Sequence, residues 1–446
     1  MTSADPGALP NRDFRPHPLW WDECPPQAPE PAALAARYDV AVIGGGYAGL
    51  SAALELARGG AKVAVLEADD FGYNASGRNS GGVSFGIDLA KVARWAKWTG
   101  RGAPDLKAIA GGALESVEHT ARFIAANGID CDFQPRGRLS CAPTPRHYEE
   151  LGRRVDGLNR LFDAGAYLVP RSGQHAEIGS DRFHGVMVIP RSAQLSPARY
   201  LHGLLRLCRE AGVALHAQTP ALGIAREGTN FRVRIASGGM VATTVVLATN
   251  AQAARLPASD LRRRVVPVAS HIIVTEPLPP AVAARLLPNR RTGADLRRML
   301  AYFRLTPDGS RFLYGSRASP FDVSPERSTA VLYRRMIGSF PELAGVRISH
   351  SWGCKVAFSF DALPHMGQAN GLHYIAGCNG NGVAMMGYLG SRLGRKILDG
   401  GRPNCVFDRD DFPTVPLYGG APWFLPVVAA GYRLLDWMDN MRAKAH

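Results

Sequence analysis

A glycine-rich turn between a strand pattern and a helix pattern constrains this chain more than any other feature. Residues 39–43 are a short β-branched and apolar run, and Gly44, Gly46 and Gly49 follow at G-x-G-x-x-G spacing before small helix-forming residues. Gly44 permits the sharp turn, Gly46 lets the backbone approach a pyrophosphate, and Gly49 lets helix and strand pack closely. The helix N-terminus presents free N–H groups and a positive dipole end to the phosphates. The stretch therefore predicts a dinucleotide-binding strand, turn and helix.

An acidic residue follows at the place where such a unit contacts a ribose. Residues 62–68 read Lys-Val-Ala-Val-Leu-Glu-Ala, which predicts a second strand with Glu67 near its end. A carboxylate there can accept hydrogen bonds from both ribose hydroxyls of an adenosine. The alternative is a glycine-rich turn in some other α/β protein, but strand, helix and acid together favour the nucleotide.

Length and composition limit the number of domains, the kinds of site and the cellular location that can be expected. A chain of 446 residues is too long for one ordinary core, so we expect two interleaved domains. The seven cysteines are scattered and form no C-x-x-C pair, which indicates neither a disulfide framework nor a metal site. Residues 1–37 are a Pro-rich arm in which no basic segment precedes an apolar one, so we expect no secretory signal and a cytoplasmic location.

The net charge of +14 raises the question of a nucleic-acid partner. The arginines are dispersed, and dense points such as 153–154 and 262–264 are not interleaved with aromatic residues as on a nucleic-acid surface. A solvated basic surface is therefore favoured over nucleic-acid binding. An RNA-associated flavoprotein, or an FAD-binding module without activity, stays open as an alternative.

Three later segments have the composition of ligand-binding turns. Residues 71–86 are dense in Gly, Ser and Asn and contain one cation, Arg78, so they can direct several backbone N–H groups at an anion. The apolar run 243–248 ends in a Thr-Asn pair, as a buried strand does where a cofactor meets the main chain. Residues 377–383 form another glycine-rich turn that opens a helix.

Alternating runs at 267–276, 298–306 and 311–316, followed by a helical pattern at 332–340, predict an antiparallel sheet with a covering helix. The fold class predicted is therefore α/β (α+β), a Rossmann-like domain with an inserted antiparallel-sheet domain. A second G-x-G-x-x-G, which would dock NAD(P)H, is missing from the sequence.

Together these segments resemble the D-amino-acid oxidase and sarcosine oxidase superfamily of FAD enzymes, within it the bacterial branch similar to γ-glutamylputrescine oxidase. The residues that carry the resemblance lie at 44–49, 75–82, 245–250, 361–367 and 377–383. It implies an FAD-binding domain of residues 38–100, 191–258 and 350–400. The substrate domain would comprise 101–190 and 259–349, and a tail with an amphipathic helix would span 401–446.

The resemblance also implies which positions contact FAD. Those near the pyrophosphate and the flavin ring would come from residues 76–82, the adenine would lie by Ala221, and the pyrimidine end of the flavin would meet 380–383. The full set is Gly44, Gly46, Tyr47, Ala48, Gly49, Glu67, Ser76, Gly77, Arg78, Asn79, Gly81, Gly82, Ala221, Thr249, Asn250, Cys354, Asp361, Gly380, Asn381, Gly382 and Val383.

Members of the superfamily oxidise a C–N bond by passing a hydride from the amine carbon to flavin N5. The imine then hydrolyses, and dioxygen usually reoxidises the flavin with release of hydrogen peroxide. The resemblance therefore implies a small amine or amino-acid-like substrate. The alternative is a dehydrogenase that passes electrons to a quinone or protein acceptor.

Three positions depart from the family pattern. The arginine that holds a substrate carboxylate in α-amino-acid oxidases is replaced by Val356, which favours an amine or a carboxylate held elsewhere. The lysine that assists dioxygen in sarcosine-type oxidases corresponds to Leu313. Cys354 stands where sarcosine oxidases carry the cysteine bonded to the flavin, but a buried small residue is favoured over a thioether.

No dedicated base is predicted, because a neutral amine needs none and the flavin carries the chemistry. The candidate catalytic residues are those that the resemblance places at the substrate roof or beside the reduced flavin: His271, Tyr302, Arg304 and Lys355. For the helix within 421–440, packing of its apolar residues on the parent body is favoured over lying in a membrane surface.

Overall fold

The computed structural model describes residues 10–28, 33–100, 102–256, 260–317, 319, 323–402 and 405–444. Within these residues the strands are β1 (Pro10–Arg15), β2 (Arg37–Ile43), β3 (Val63–Leu66), β4 (Gly82–Val83), β5 (Arg138–Cys141), β6 (Tyr167–Pro170), β7 (Gly185–Ile189), β8 (Ala193–Gln194), β9 (Ala214–His216), β10 (Gly223–Glu227), β11 (Asn230–Ile235), β12 (Gly238–Leu247), β13 (Val265–Thr275), β14 (Thr292–Asp295), β15 (Ala301–Leu305), β16 (Phe312–Ser316), β17 (Ile348–Ser359), β18 (His365–Ala369) and β19 (Leu372–Ala376). The helices are α1 (Tyr47–Arg58), α2 (Ala75–Arg78), α3 (Leu89–Trp98), α4 (Leu106–Ala126), α5 (Pro145–Phe162), α6 (Pro197–Glu210), α7 (Pro280–Leu286), α8 (Pro325–Ser339), α9 (Gly382–Leu398) and α10 (Leu425–Lys444).

The first large sheet has the arrangement predicted for a nucleotide-binding domain. Its strands lie in the order β10-β11-β12-β2-β3-β9, and β19 pairs with β12 and with β18. The pairs β12–β2, β2–β3, β3–β9 and β12–β19 are parallel. Strands β2 and β3 are apolar on both faces, as expected of central parallel strands covered on both sides. The predicted α/β class with a Rossmann-like sheet is confirmed.

The second large sheet is mainly antiparallel and has the order β1-β17-β13-β16-β15-β14-β5-β7-β6. One of its faces packs on α8 through a cluster that includes Phe303, Tyr314, Met336 and Phe340. The other face is turned toward the first sheet, because the Trp352 indole donates to Arg78 O at 2.7 Å. This second sheet therefore covers one side of the nucleotide-binding domain.

Sheet membership differs from the predicted segments at two places. Strand β17 lies wholly in the second sheet, so the chain returns to the first sheet only after Ser359 and not at residue 350. Residues 10–15, which belong to the Pro-rich arm outside both predicted domains, pair in parallel with β17. Both differences have one cause: β17 is a long strand that offers β13 one edge and the arm the other.

Helices α1 and α9 pack side by side in the same direction. A Cβ added at Gly390 would lie 2.3 Å from Ala48 O, and one added at Gly394 would lie 2.7 Å from the Glu55 Cβ. Small residues at this contact let the two helices approach closely. Because residue numbers rise together along both helices, their N-termini point toward the same edge of the sheet.

The arm is fixed to the start of β17 by polar contacts of the buried His350. His350 Nε2 lies 3.0 Å from Asp22 Oδ2, and Asp22 also pairs with Arg15 at 2.9 Å. Burial lowers the pKa of His350 to about 4, and burial likewise lowers the pKa of His373 to about 4. Both histidines are therefore neutral in the folded protein above that pH.

These two histidines should make the protein less stable in mild acid. Their pKa is about 6.5 when unfolded, so between about pH 6.5 and 4 only the unfolded state takes up the protons. The free energy of unfolding is expected to fall by about 1 to 2 kcal/mol for each histidine, and so by roughly 2 to 4 kcal/mol in total, between pH 7 and pH 5. Urea unfolding at both pH values measures this fall, and His350→Gln should reduce its slope; an unchanged slope would contradict the assignment.

None of the helices in the described part of the chain combines the length and hydropathy needed to cross a bilayer.

Candidate functional site

The two glycine-rich turns border the same edge of the first sheet. Ala248 N, directly after β12, donates to Ile43 O at 2.8 Å, and a Cβ on Gly44 would lie 2.8 Å from Ala248 O. Asn250 Oδ1 accepts from Gly377 N at 3.0 Å, which brings the later turn beside the same strand ends. The carboxyl ends of parallel strands are where ligands bind in sheets of this kind.

The first turn requires its glycines. Gly44 has φ +109°, and a Cβ on Gly49 would lie 1.9 Å from Gly44 O. A Cβ on Gly46 would lie 2.9 Å from Ser76 Oγ, which itself accepts from Tyr47 N at 3.1 Å. The turn thus brings the N-terminus of α1 beside the Ser76 hydroxyl, at the edge where an anion can approach.

Glu67 is held at the end of β3 by two backbone groups. Gly45 N donates to one carboxylate oxygen at 2.7 Å and Asp69 N to the other at 3.1 Å. Burial nonetheless raises the pKa of Glu67. Thr219 N donates to Glu67 O, which brings the loop that contains Ala221 beside it. Each carboxylate oxygen keeps a lone pair for a further donor, so a ribose diol can be bound here.

Arg78 lies at the junction of the two sheets. Its guanidinium carbon is 4.6 Å from the ring centroids of both Trp21 and Tyr73, and its Nη1 donates to Gly353 O at 3.0 Å. Burial lowers the pKa of Arg78. The side chain is thus held by aromatic faces on two sides and directed toward β17.

Asn79 fixes the loop that follows α2. Its amide donates to Ala75 O and Ser76 O at 3.0 Å, and its Oδ1 accepts from Gly81 N at 2.8 Å. Trp20, on the arm, donates to Asn79 O at 2.9 Å. Close packing also constrains Gly77, where a Cβ would lie 2.1 Å from a backbone oxygen, whereas Gly82 faces open space. Asn79 therefore shapes the loop through its own amide and is not free to bind a ligand with it.

The second glycine-rich turn, residues 377–383, contacts the loop after β4. Asn381 Nδ2 donates to Gly86 O at 2.6 Å, and Ser84 Oγ donates to Asn381 Oδ1 at 3.0 Å. Helix α9 begins at Gly382 with Val383 buried in its first turn. Gly380 has φ +91° and no neighbour within 4 Å of an added Cβ. An open, glycine-lined helix N-terminus therefore faces the strand edge.

Asp361 is committed to its own turn. His365 Nε2 lies 2.9 Å from Asp361 Oδ2, and Leu363 N donates to Oδ1 at 3.2 Å. The ring of Phe412 stacks on His365 at 4.0 Å. Asp361 thus supports the chain between β17 and β18, and its carboxylate is already occupied.

The residues at this edge suit FAD. Thr249 Oγ1 and Arg78 Nε are buried and lack a hydrogen-bond partner among the described residues, so both remain able to bind a ligand. Together with two helix N-termini, the Glu67 carboxylate and the glycine turns, they are the residues that could hold a nucleotide diphosphate with an extended ring system. Of the predicted positions, the structure brings 44–49, 67, 76–82, 249–250 and 380–383 to this edge.

The structure divides the four candidate catalytic residues between two faces of the second sheet. Side chains alternate along a strand, and Tyr302 shares a row with Gly315 and Trp352 on the face turned toward the first sheet. His271 and Lys355 have the opposite parity, on the face where Ser351 contacts α8. His271 and Lys355 therefore do not line one cavity with Tyr302.

Arg304 lies on the inner face but is fully buried and bound to the backbone. Its guanidinium donates to Leu305 O, Ser80 O and Leu195 O at 2.9 to 3.0 Å. Burial lowers the pKa of Arg304 to about 9. The three carbonyl acceptors indicate that Arg304 holds the loop after α2 in place through Nε and Nη1, while its Nη2 is buried without a hydrogen-bond partner among the described residues.

Tyr302 and Cys354 lie near each other on the inner face. The Tyr302 ring covers Gly315, where a Cβ would lie 2.2 Å from it, and its hydroxyl is 3.0 Å from Ser270 Oγ. Ser270 stands opposite Cys354 in the β13–β17 register. Burial raises the pKa of Tyr302, so its hydroxyl is protonated at neutral pH and can donate a hydrogen bond.

Sequence reasoning missed Arg317, which follows β16 on this inner face. Its guanidinium carbon lies 5.1 Å from the Phe358 ring centroid. Phe358 is on the same face of β17 as Cys354 and Trp352, because even-numbered residues of this strand share one face. Burial lowers the pKa of Arg317, and the neighbouring hydroxyls of Tyr432 of α10 and Tyr302 offset part of this effect. The alternation of side chains that predicted a strand around Tyr302 also applies to the strand before Arg317, and could have indicated that Arg317 faces the substrate side.

The family model for FAD dependent oxidoreductases matches residues 39–395 of this chain, which is most of its length. The chain belongs to the DAO family of FAD-dependent oxidoreductases. Both the expected family and the expected cofactor are thereby confirmed, and the protein is an enzyme that uses FAD.

Individual DAO-family proteins are similar over nearly their whole length. A probable oxidoreductase OrdL of Haemophilus influenzae is 32% identical over 387 residues, 86% of this chain and 87% of that protein. The gamma-glutamylputrescine oxidoreductase of Escherichia coli is 29% identical over 407 residues, 90% of this chain and 93% of that one. The glycine oxidase of Geobacillus kaustophilus has a similar fold, with a TM-score of 0.70, 23% identity and coverage of 86% and 100%.

Proposed function

We propose that this DAO-family enzyme oxidises the C–N bond of a small amine that also carries a carboxylate. Arg317 is the observation that carries the proposal, since it is a half-buried cation near Tyr302 on the face of the second sheet that is turned toward the first sheet. FAD, bound at the strand edge, would accept the hydride from the amine carbon. The side chains of the second sheet would then bind and orient the substrate.

Among the residues that the structure describes, no carboxylate is ion-paired with the Arg317 guanidinium, which lies against the Phe358 ring. An arginine in such surroundings binds a carboxylate strongly, because the partner replaces lost water. Val356, where α-amino-acid oxidases have their arginine, is apolar, so a carboxylate at Arg317 would lie farther along the substrate. The E. coli relative is named for gamma-glutamylputrescine, which has an amine and a distant carboxylate.

Tyr302 would act beside Arg317. Its hydroxyl, oriented by Ser270, can donate to a substrate oxygen or accept from the amine. Cys354 on the same face packs near Arg78, and we propose that its sulfur forms no covalent bond to the flavin. Acid precipitation tests this point, because a colourless pellet under a yellow supernatant is expected and a yellow pellet would show a covalent flavin.

Replacing Arg317 with methionine should separate binding of the carboxylate from the rest of catalysis. KM for a carboxylate-bearing amine is expected to rise by roughly tenfold to a hundredfold, because a charge-assisted hydrogen bond is lost. For an amine without a carboxylate, KM should change little, and Arg317→Lys should recover part of the loss. Equal effects on both substrates, with FAD still bound, would show that Arg317 does not recognise the carboxylate.

An anaerobic screen of amines tests the proposed activity directly. Purified enzyme is expected to lose its visible flavin absorbance with γ-glutamyl amines or N-alkyl amino acids, and to keep it with simple polyamines. Aldehyde and ammonia or amine should then appear in equal amounts. If no carboxylate-bearing amine in the panel bleaches the flavin while a simple amine does, the proposed substrate class is wrong.

A different electron acceptor is the second candidate. Leu313 is fully buried and packs with Trp20 and Trp352, so it offers no cation where sarcosine-type oxidases are expected to have a lysine. Reoxidation by a quinone or a protein would then be faster than reoxidation by dioxygen. Stopped-flow mixing of the reduced enzyme with air-saturated buffer or with a soluble quinone distinguishes the two, since brisk peroxide release supports the oxidase.

A further inference from the structure

Helix α10 packs on the protein through its acidic side. Asp436 accepts from Arg298 N and Met299 N at 3.0 Å, and Asp439 pairs with the Arg298 guanidinium at 2.7 Å. The side chains of Asp436 and Asp439 are only 11% and 13% exposed. The charged face of this helix is therefore the one that faces the protein.

Its apolar side faces outward. Val427, Leu434 and Met441 recur every seven residues along one stripe, with Trp437 beside them, and their exposed fractions are 74%, 57%, 50% and 58% respectively. A helix at the surface of a monomer normally has the reverse orientation. The expectation that these apolar residues pack on the body is wrong, because the carboxylates of Asp436 and Asp439 find their partners there instead.

The apolar surface extends beyond α10. A chain of ring contacts, each with centroids 5.2 to 6.3 Å apart, runs through Trp98, Trp95, Phe360, Tyr418, Phe424 and Trp423. The two end members, Trp98 and Trp423, are exposed, as is Leu417 next to Tyr418. We call these three residues, together with Val427, Leu434, Trp437 and Met441, the apolar rim. Such a broad exposed patch marks an interaction surface.

Basic side chains border the apolar rim. Arg262 and Arg263 line a shallow depression with Leu417, and both are exposed. Arg433 and Arg442 are exposed on α10, whose two aspartates are turned inward. The whole chain has a net charge of +14. An apolar face that includes three tryptophans and has a basic border fits the interface of an anionic bilayer, where indoles and cations both bind favourably.

We propose that the apolar rim docks on the surface of an anionic phospholipid bilayer, with α10 lying in the plane of the headgroups. A second copy of the chain is a poorer occupant, because it would bring the same arginines of two highly basic molecules together. This inference is independent of the substrate proposal. It concerns the face next to Arg317, since Tyr432 of α10 is a neighbour of Arg317.

Flotation of the purified, flavin-loaded protein with vesicles tests the proposal. The protein is expected to float with vesicles of phosphatidylglycerol and phosphatidylcholine, to float much less with phosphatidylcholine alone, and to lose affinity as salt increases. The double variant Leu434→Gln and Trp437→Gln should bind the anionic vesicles about tenfold more weakly or worse, because two apolar side chains no longer enter the interface.

Tyr167→Gln is the matched control, because Tyr167 is an exposed aromatic residue on the edge strand β6, away from α10. It should bind vesicles as the unchanged protein does, and both variants should keep their FAD spectrum. Absence of flotation with anionic vesicles would overturn the proposal. So would sedimentation velocity that shows a dimer dissociated by the Leu434 and Trp437 changes, since the rim would then be covered by a second copy.

Discussion

Replacing Gly49 with alanine is expected to give a colourless protein that no longer retains FAD. The added Cβ would lie 1.9 Å from Gly44 O, which no real side chain tolerates, so α1 must move away from the turn. That movement separates the first turn from the helix N-terminus that would face the pyrophosphate. We expect FAD affinity to fall at least a hundredfold and the free energy of unfolding to fall by about 3 kcal/mol or more.

Gly111→Ala is the control for this change. Gly111 is also helical, within α4, and an added Cβ there meets nothing within 4 Å. This variant should bind FAD normally and gain about 0.5 to 1 kcal/mol of stability, because alanine is the better helix former. Flavin fluorescence quenching and urea unfolding measure both properties. A yellow Gly49→Ala protein with unchanged affinity would refute the assignment of the first turn.

Arg304→Met is expected to destabilise the protein more than any change at the surface. The guanidinium is buried and donates to Ser80 O, Leu195 O and Leu305 O, so its removal leaves buried carbonyls without donors. A loss of about 3 to 5 kcal/mol in the free energy of unfolding follows. Because Ser80 belongs to the loop at the cofactor edge, FAD should also dissociate faster.

Arg153→Met, on the exposed side of α5, is the matched control and should change stability by less than about 0.5 kcal/mol. A catalytic role for Arg304 predicts a different result. In that case kcat would fall steeply while urea unfolding and FAD retention stayed as in the unchanged protein. Measuring all three quantities on the same preparations therefore decides between support of the loop and direct catalysis.

The cofactor edge could be predicted from the sequence because each part is a local pattern. The spacing of Gly44, Gly46 and Gly49 reports backbone geometry directly, and the structure shows the close approaches that require it. Glu67 follows from the same unit. Contacts made by distant residues are absent from such patterns, and the hydrogen bond that Gly377 N donates to Asn250 Oδ1 is one of them.

The substrate side was harder to predict for a physical reason. His271 and Tyr302 lie on opposite faces of the second sheet. The alternation of side chains along each strand reveals this only when the register of β13, β16 and β15 is known. Both faces of this sheet are covered, so burial does not reveal which one is turned toward FAD. The orientation of α10 was equally hidden, because it depends on Arg298, which is distant in sequence.

The strand order of the first sheet also determines when this protein can first bind FAD during its synthesis. Strand β12 is inserted between β2 and β19, and α9 must reach α1 before the second helix N-terminus faces the edge. A ribosome therefore has to produce residues 372–398 before the site exists. Until then the nascent chain carries an incomplete apolar sheet, so we expect it to depend on chaperones during translation and to acquire its flavin only afterwards.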